Sequence, residues 1–165
     1  MRLFAAVFPP PEAKATIAAI QKRVHAEVKQ KGTYPHPDKL HITLRFWGET
    51  LPQPTVKMFM QEVVQTLQPL KFRFEALDGF PPNARLKRVA FLAPSDPAPI
   101  AAVMRALGDS DPNPHLTLAR YMQPAELPRF RFEPFEFVAE KIVLIDSLQF
   151  GAERNYAVVA EWKLG

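Results

Sequence analysis

Apolar residues along this chain fall into short blocks separated by prolines, and their spacing switches between two periods. Leu3 to Phe8 is an unbroken apolar run closed by Pro9, Pro10 and Pro11, the pattern of a short buried strand. From about Pro11 to Lys31 the apolar positions are Ala13, Ile17, Ile20, Val24 and Val28, three and four apart, which predicts one amphipathic helix. Its Pro-Glu start and Lys-Gln-Lys-Gly finish suit the two ends of a helix. A polar loop, Thr33 to Asp38, leads into a predicted strand from Leu40 to about Phe46. A second helix is expected from Pro54 to Leu67, carrying Val56, Phe59, Met60, Val63, Val64 and Leu67 on one side, and then an alternating strand from Phe72 to Leu77.

The second half follows the same order. Arg88 to Leu92 reads as a strand; Asp96 is placed to cap a helix from Pro97 to Leu107 with Ile100, Val103, Met104 and Leu107 inward, and Gly108 closes it. A loop rich in Asp, Pro and Asn precedes a strand from His115 to about Tyr121. The last third is strand-like over Phe130 to Val138, Lys141 to Phe150 and Tyr156 to Trp162. Strand, helix and His-bearing strand therefore occur twice, with His41 in the first copy and His115 in the second. This predicts an α+β fold of two similar lobes, helices packed on antiparallel-rich sheet.

Composition narrows the class. With 165 residues, 47% hydrophobic and 23% charged, the chain has ordinary globular content, enough for one domain over 1–165. No apolar run approaches the ~20 residues of a membrane helix, and Pro9 to Pro11 cut the N-terminal run short of a signal sequence, so a cytoplasmic location is expected. The absence of cysteine excludes disulfides, thiolate metal sites and a cysteine nucleophile. A formal net charge of +4 suits an anionic ligand better than a cationic one.

The informative chemistry is a pair of tetrapeptides, His41-Ile42-Thr43-Leu44 and His115-Leu116-Thr117-Leu118. On a strand, positions i and i+2 share a face, so each segment offers an imidazole and a hydroxyl together while its apolar residues face a core. The chain has 4 His and 7 Thr; two such His-x-Thr steps would arise in about one shuffled chain in a hundred, which sets the pair apart from a single match. Two imidazoles flanking one cleft can act as general base and general acid, since histidine titrates near pH 6.5, and the hydroxyls can donate to anionic oxygens. That constellation suits in-line displacement at phosphorus without a metal. Neither histidine has the helical i, i+4 partner of a zinc site.

HITLRFWGE and PHLTLAR resemble the paired motifs of the 2H phosphoesterase superfamily, most closely the RNA 2′,3′-cyclic phosphodiesterases, also called 2′-5′ RNA ligases. The likeness extends to the opening MRLFAAVFPP, the Pro-Asp-Lys-Leu before His41, Pro114 before His115, and the closing Ser147 to Tyr156 stretch. It implies a bilobed, pseudo-symmetric fold with antiparallel-rich sheets lining a central cleft and helices outside. It also implies hydrolysis of an RNA 2′,3′-cyclic phosphate end to a 2′-phosphate with no cofactor, and 2′-5′ ligation as the reverse. Carried over by motif position, His41 is the general acid, His115 the general base, Thr43 and Thr117 hold phosphate oxygens, Arg120 contacts phosphate, and Phe46 stacks on the terminal base.

Strict alternation conflicts with part of this. It puts Phe46 and Arg120 on the core side and selects Arg45 and Tyr121 for the cleft, unless a twist or bulge near the strand end intervenes. Trp47 stands where the family usually has a smaller residue and would alter the stacking surface. His25 is expected on a solvated helix face, His36 in a turn, and Arg85, Lys87 and Arg88 as a solvated basic run. Of Phe130, Phe132, Phe135 and Phe137, at least half are expected in the core. A monomer acting on RNA with a cyclic phosphate end, away from membranes, is the leading expectation. The rivals are a same-superfamily enzyme acting on small cyclic nucleotides or ADP-ribose cyclic phosphate, and a non-catalytic module that binds RNA ends.

Overall fold

The computed structural model describes residues 2–150 and 153–165, with the side chains of residues 149, 150, 153 and 154 not described. The strands are β1 (Leu3–Val7), β2 (Gly32–Thr33), β3 (Ile42–Gly48), β4 (Leu70–Phe80), β5 (Lys87–Pro94), β6 (Leu116–Ala125), β7 (Phe135–Ala139), β8 (Lys141–Phe150) and β9 (Glu153–Lys163). The helices are α1 (Pro11–Glu27), α2 (Gln53–Val64) and α3 (Ala98–Ala106), with a 3-10 turn at Pro37–Lys39. Among the described residues, no helix is long and apolar enough to cross a membrane.

The strands form one curled antiparallel sheet in the order β7-β4-β5-β6-β3-β1-β8-β9, with β2 pairing the far part of β6. Read from its centre outward, the order is the same on both sides: β3, β1, β8, β9 on one and β6, β5, β4, β7 on the other. The centre is a single antiparallel register pair, Ile42 with Leu116. These are the residues after the two motif histidines, so a pseudo-two-fold axis passes between the two copies of the motif.

The helices interlock the halves. α1 follows β1 and leads, through β2 and the 3-10 turn, to β3, yet packs against β7, and its Gln21 bonds to β6; α3 joins β5 to β6 yet packs on β3. The main core lies between the helices and the sheet. Leu3, Ala5 and Val7 of β1 enter it with Ile17, Val24, Leu44 and Met60. The other face of β1 is also covered: Phe4 and Ala6 form a smaller cluster with Val143 and Ile145. Burial on both faces explains why β1 reads as a continuous apolar run rather than an alternating one.

Several boundaries differ from the sequence reading. α1 stops at Glu27, not Lys31, because Val28 turns to extended backbone (φ −88°, ψ 125°); its side chain stays in the core and so mimics a continuing stripe. The loop Thr33–Asp38 holds the end of β2 and the start of the 3-10 turn. α2 ends at Val64, with Val56, Met60 and Val64 buried and Phe59 partly exposed. Pro97, not Asp96, occupies the N-cap of α3, with no side-chain cap. Gly108 does end that helix, at φ +98°, a conformation that favours glycine. β4 runs well beyond Phe72–Leu77, and β5 and β6 also extend past their expected ends. The Phe130–Val138 strand contracts to Phe135–Ala139, its earlier part being irregular chain that ends at Pro134.

Candidate active site

Each histidine stands one residue before its strand, His41 before β3 and His115 before β6. The two are held alike. Nδ1 of His41 donates to the carbonyl of Lys39 at 2.7 Å, and Nδ1 of His115 donates to the carbonyl of Asn113 at 2.7 Å. A carbonyl only accepts, so each neutral ring carries its proton on Nδ1 and leaves the lone pair on Nε2. Nε2 of His41 lies 3.1 Å from Thr43 Oγ1, which donates to it in the neutral state.

Because Ile42 faces Leu116 across the antiparallel seam, Thr43 faces His115 and His41 faces Thr117. The four side chains make a rectangle on one face of the sheet with the histidines on a diagonal. In a regular ladder such diagonal neighbours are about 7–8 Å apart, enough to hold a small tetrahedral group between the rings. All four line one cavity of about 330 Å³ together with Pro35, Lys39, Phe46, Arg120 and Tyr156. It adjoins a compartment of about 450 Å³ lined by Arg2, Phe4, His41, Thr43, Phe46, Arg120, Ser147 and Tyr156. Among the described residues, the linings include Arg2, Lys39 and Arg120 and no Asp or Glu, a balance that suits an anion.

Aromatic rings form the floor. His41 packs against Phe4, Phe8 and Tyr156, with centroids 5.2, 5.6 and 5.6 Å away. His115 packs against Phe80 and Phe91 at 5.1 and 5.3 Å. This burial pushes both imidazoles below their ordinary pKa of 6.5. The carbonyl bonds to Lys39 and Asn113 work the other way, favouring the protonated rings. Arg120 adds to the depression at both, and His115 adds to it at His41. Both imidazoles are therefore neutral near pH 7, and an anion between them reverses the electrostatic part.

The structure brings Phe46 and Arg120 into this cleft and removes Arg45 and Tyr121 from it, correcting strict alternation. The cause is the same in both motif copies. Ala6 pairs with Thr43 and Ala5 with Arg45, so Leu44 is an extra residue in β3. Phe91 pairs with Thr117 and Ala90 with Ala119, so Leu118 is an extra residue in β6. Each bulge shifts the following side chains by one position and turns the next but one toward the cleft. Phe46 (49% exposed) and Arg120 are thus equivalent by the pseudo-two-fold, as are the buried Trp47 and Tyr121.

Arg45 instead lies against Gly108 at the end of α3. Tyr121 sits in the core, its hydroxyl 3.1 Å from that of Tyr34, and burial raises its pKa. Trp47 packs edge-on to Phe59 in the core rather than reshaping a stacking surface.

The remaining candidates lie outside the cleft. His25 is exposed and stacks on Tyr34; His36 sits in the turn, its Nδ1 accepting from the Asp38 amide. Arg85 pairs with Glu126, while Lys87 and Arg88 donate to the carbonyls of Pro81 and Met122. Phe137 is buried, and Phe130, Phe132 and Phe135 pack partly buried against the core. Residues 151–152, within the Ser147–Tyr156 stretch, lie outside the described residues. Among the described residues, no three His, Cys, Asp or Glu side chains group as a metal site.

Residue-level reading of the sequence missed Arg2, Phe4 and Tyr156, which reach the cleft from parts of the chain far from the motifs, and Lys39, whose carbonyl orients His41 from two residues away. It also missed Gln21, a polar residue on the buried face of α1, and that position was itself a usable signal.

Comparison with known proteins agrees with this geometry. A family model described as the 2′-5′ RNA ligase superfamily matches residues 8–149. The crystal structure of TT0787 from Thermus thermophilus aligns with a TM-score of 0.80 at 26% identity, covering 99% of this chain and 98% of that one. A crystal structure described as a phosphoesterase aligns at 0.79 and 21% identity, covering 99% and 98%. E. coli LigT complexed with 3′-AMP aligns at 0.74 and 21% identity, covering 99% and 96%. The last two likenesses establish the fold. No curated protein matches the sequence.

Proposed function

The chain belongs to the 2′-5′ RNA ligase superfamily, and from that premise we propose that it is a phosphodiesterase hydrolysing RNA 2′,3′-cyclic phosphate ends to 2′-phosphates. The observation that carries this reading is the convergence of His41, Thr43, His115, Thr117 and Arg120 on one cavity. His115, neutral at pH 7, takes a proton from water as the water oxygen bonds to phosphorus. The bond from phosphorus to O3′ breaks on the opposite side, and protonated His41 supplies the proton that O3′ needs to leave. Charge developing on the non-bridging oxygens meets the hydroxyls of Thr43 and Thr117 and the guanidinium of Arg120. With an RNA 5′-hydroxyl in place of water, the same steps join two strands through a 2′-5′ linkage.

The split between the two histidines draws support from an asymmetry in the cleft. His41 lines both compartments, whereas His115 lines the central one. A nucleoside lodged beside Phe46 and Tyr156, with Arg2 and Ser147 on its far side, presents its O3′ to His41 and leaves the His115 side to the nucleophile. Burial of His41 disfavours its charged form before substrate enters, and the arriving phosphate restores the proton when it is needed.

The test incubates the protein, in excess EDTA, with a short RNA ending in a 2′,3′-cyclic phosphate and identifies the product end. Conversion to a 2′-phosphate, slowed at least ~10²-fold in His41→Ala and in His115→Ala, is the expected result. Near wild-type turnover in either variant removes that histidine from the mechanism. Binding without turnover points to a module that holds RNA ends. Turnover of only a cyclic mononucleotide or ADP-ribose cyclic phosphate moves the substrate to small molecules.

A further inference from the structure

The buried face of α1 carries one polar side chain. Gln21 stands four residues after Ile17 and three before Val24 and is 7% exposed. Its Nε2 donates to two backbone carbonyls, Pro35 at 2.8 Å and Leu118 at 3.0 Å, so both amide protons are used. A buried carboxamide is costly unless its hydrogen bonds are made, and here an apolar side chain of equal length would fill the same space. What the amide adds is a link between two particular carbonyls.

Both carbonyls belong to the framework of the cleft, one from each motif copy. Pro35 lines the central cavity and starts the segment running through the 3-10 turn to Lys39, whose carbonyl orients His41. Leu118 is the extra residue of the β6 bulge, next to Thr117 and two before Arg120. Gln21 reaches both because α1 crosses from the first half of the sheet onto the second.

We propose that Gln21 is a positioning residue for the phosphate site: one carboxamide holds the approach to His41 and the bulge that aims Thr117 and Arg120 in a fixed relation. This rests on the phosphodiesterase reading for its effect on turnover, and on the cleft geometry alone for its effect on phosphate binding.

Two variants test it. Gln21→Met keeps the length of the side chain and removes both donors. Gln21→Glu keeps the shape and makes the donors depend on pH, since a protonated carboxyl donates one bond and a carboxylate none. In folded Gln21→Met, kcat on a short RNA ending in a 2′,3′-cyclic phosphate is expected to fall about 10²-fold, the scale of a 1 Å misplacement at a reacting centre. Inorganic phosphate, followed by NMR of the two imidazoles, is expected to bind about tenfold more weakly. Gln21→Glu should lose activity with rising pH more steeply than the wild type, as one proton leaves, over a range where circular dichroism stays constant.

A folded Gln21→Met with wild-type kcat and phosphate affinity overturns the proposal, as does a wild-type pH profile in Gln21→Glu. Should Gln21→Met fail to fold, the Gln21→Glu profile decides. Should the wild-type protein not turn over the substrate, the phosphodiesterase reading falls and phosphate affinity alone decides the positioning role.

Discussion

The two motif copies meet at one residue pair, and that seam can be perturbed without touching any group in the cleft. Ile42 is fully buried, pairs with the fully buried Leu116, and is flanked by His41 and Thr43. Ile42→Ala removes a methyl and an ethyl group, worth about 0.8 kcal/mol of transfer free energy per carbon. An unrelaxed cavity adds a comparable cost at ~24 cal/mol per Å³, for a total of about 4 kcal/mol, within the usual range for Ile→Ala. For a chain of this size each kcal/mol lowers Tm by roughly 2–4 °C, so a fall of about 8–16 °C is expected. Urea denaturation with linear extrapolation measures the loss.

The control is Ile142→Ala, an equally buried isoleucine in β8 away from the seam. Both variants should lose similar stability. Only Ile42→Ala should also lose kcat, by about tenfold or more, because the backbone carrying His41 and Thr43 relaxes into the cavity. Equal kcat in the two variants, assayed where both are folded, would show that the seam does not set the spacing of the catalytic groups.

Two further outcomes follow from the cleft. Both histidines have lowered pKa values in the folded protein, so between those values and 6.5 the unfolded chain binds more protons than the native one. Stability must then fall as pH drops below 6.5 and level off above it; His41→Gln combined with His115→Gln should flatten that slope below pH 6.5, and an unchanged slope in urea midpoints refutes the assignment. Phe46 is half exposed, so Phe46→Ala should leave Tm nearly unchanged while weakening nucleotide binding by the ~1–3 kcal/mol of one base-aromatic stack, read as a rise in KM; a KM within twofold of wild type removes Phe46 from base recognition.

Much of the fold and of the site was legible because periodicity records which side of an element is buried. β8 occupies Lys141–Phe150 as its pattern predicts, and His41, Thr43, His115 and Thr117 share the face that alternation assigns to them. Periodicity misled where burial and backbone conformation parted. Val28 is buried in the stripe of α1 but already extended, and Phe130 and Phe132 pack on the core from irregular chain. It failed outright at Leu44 and Leu118, because alternation assumes that every residue has a partner across the ladder. A bulge is decided by the neighbouring strands, β1 and β5, and neither is close in sequence to the residue it displaces.

Those bulges also explain how a symmetric scaffold supports a directional reaction. The pseudo-two-fold equates His41 with His115 and Thr43 with Thr117, and a cleft of four such groups alone would treat both of its ends alike. Each bulge then delivers one more side chain to the cleft from the same motif position, and here the copies differ: Phe46 from β3, Arg120 from β6. A ring offers a base a stacking surface, while a guanidinium offers a phosphate charge and directional donors. Arg120 also lowers the pKa of both histidines, whereas Phe46 carries no charge to do so. In the proposed mechanism, symmetry puts His41 and His115 on opposite sides of the phosphate, and the unequal residues beyond each bulge decide which end holds the nucleoside.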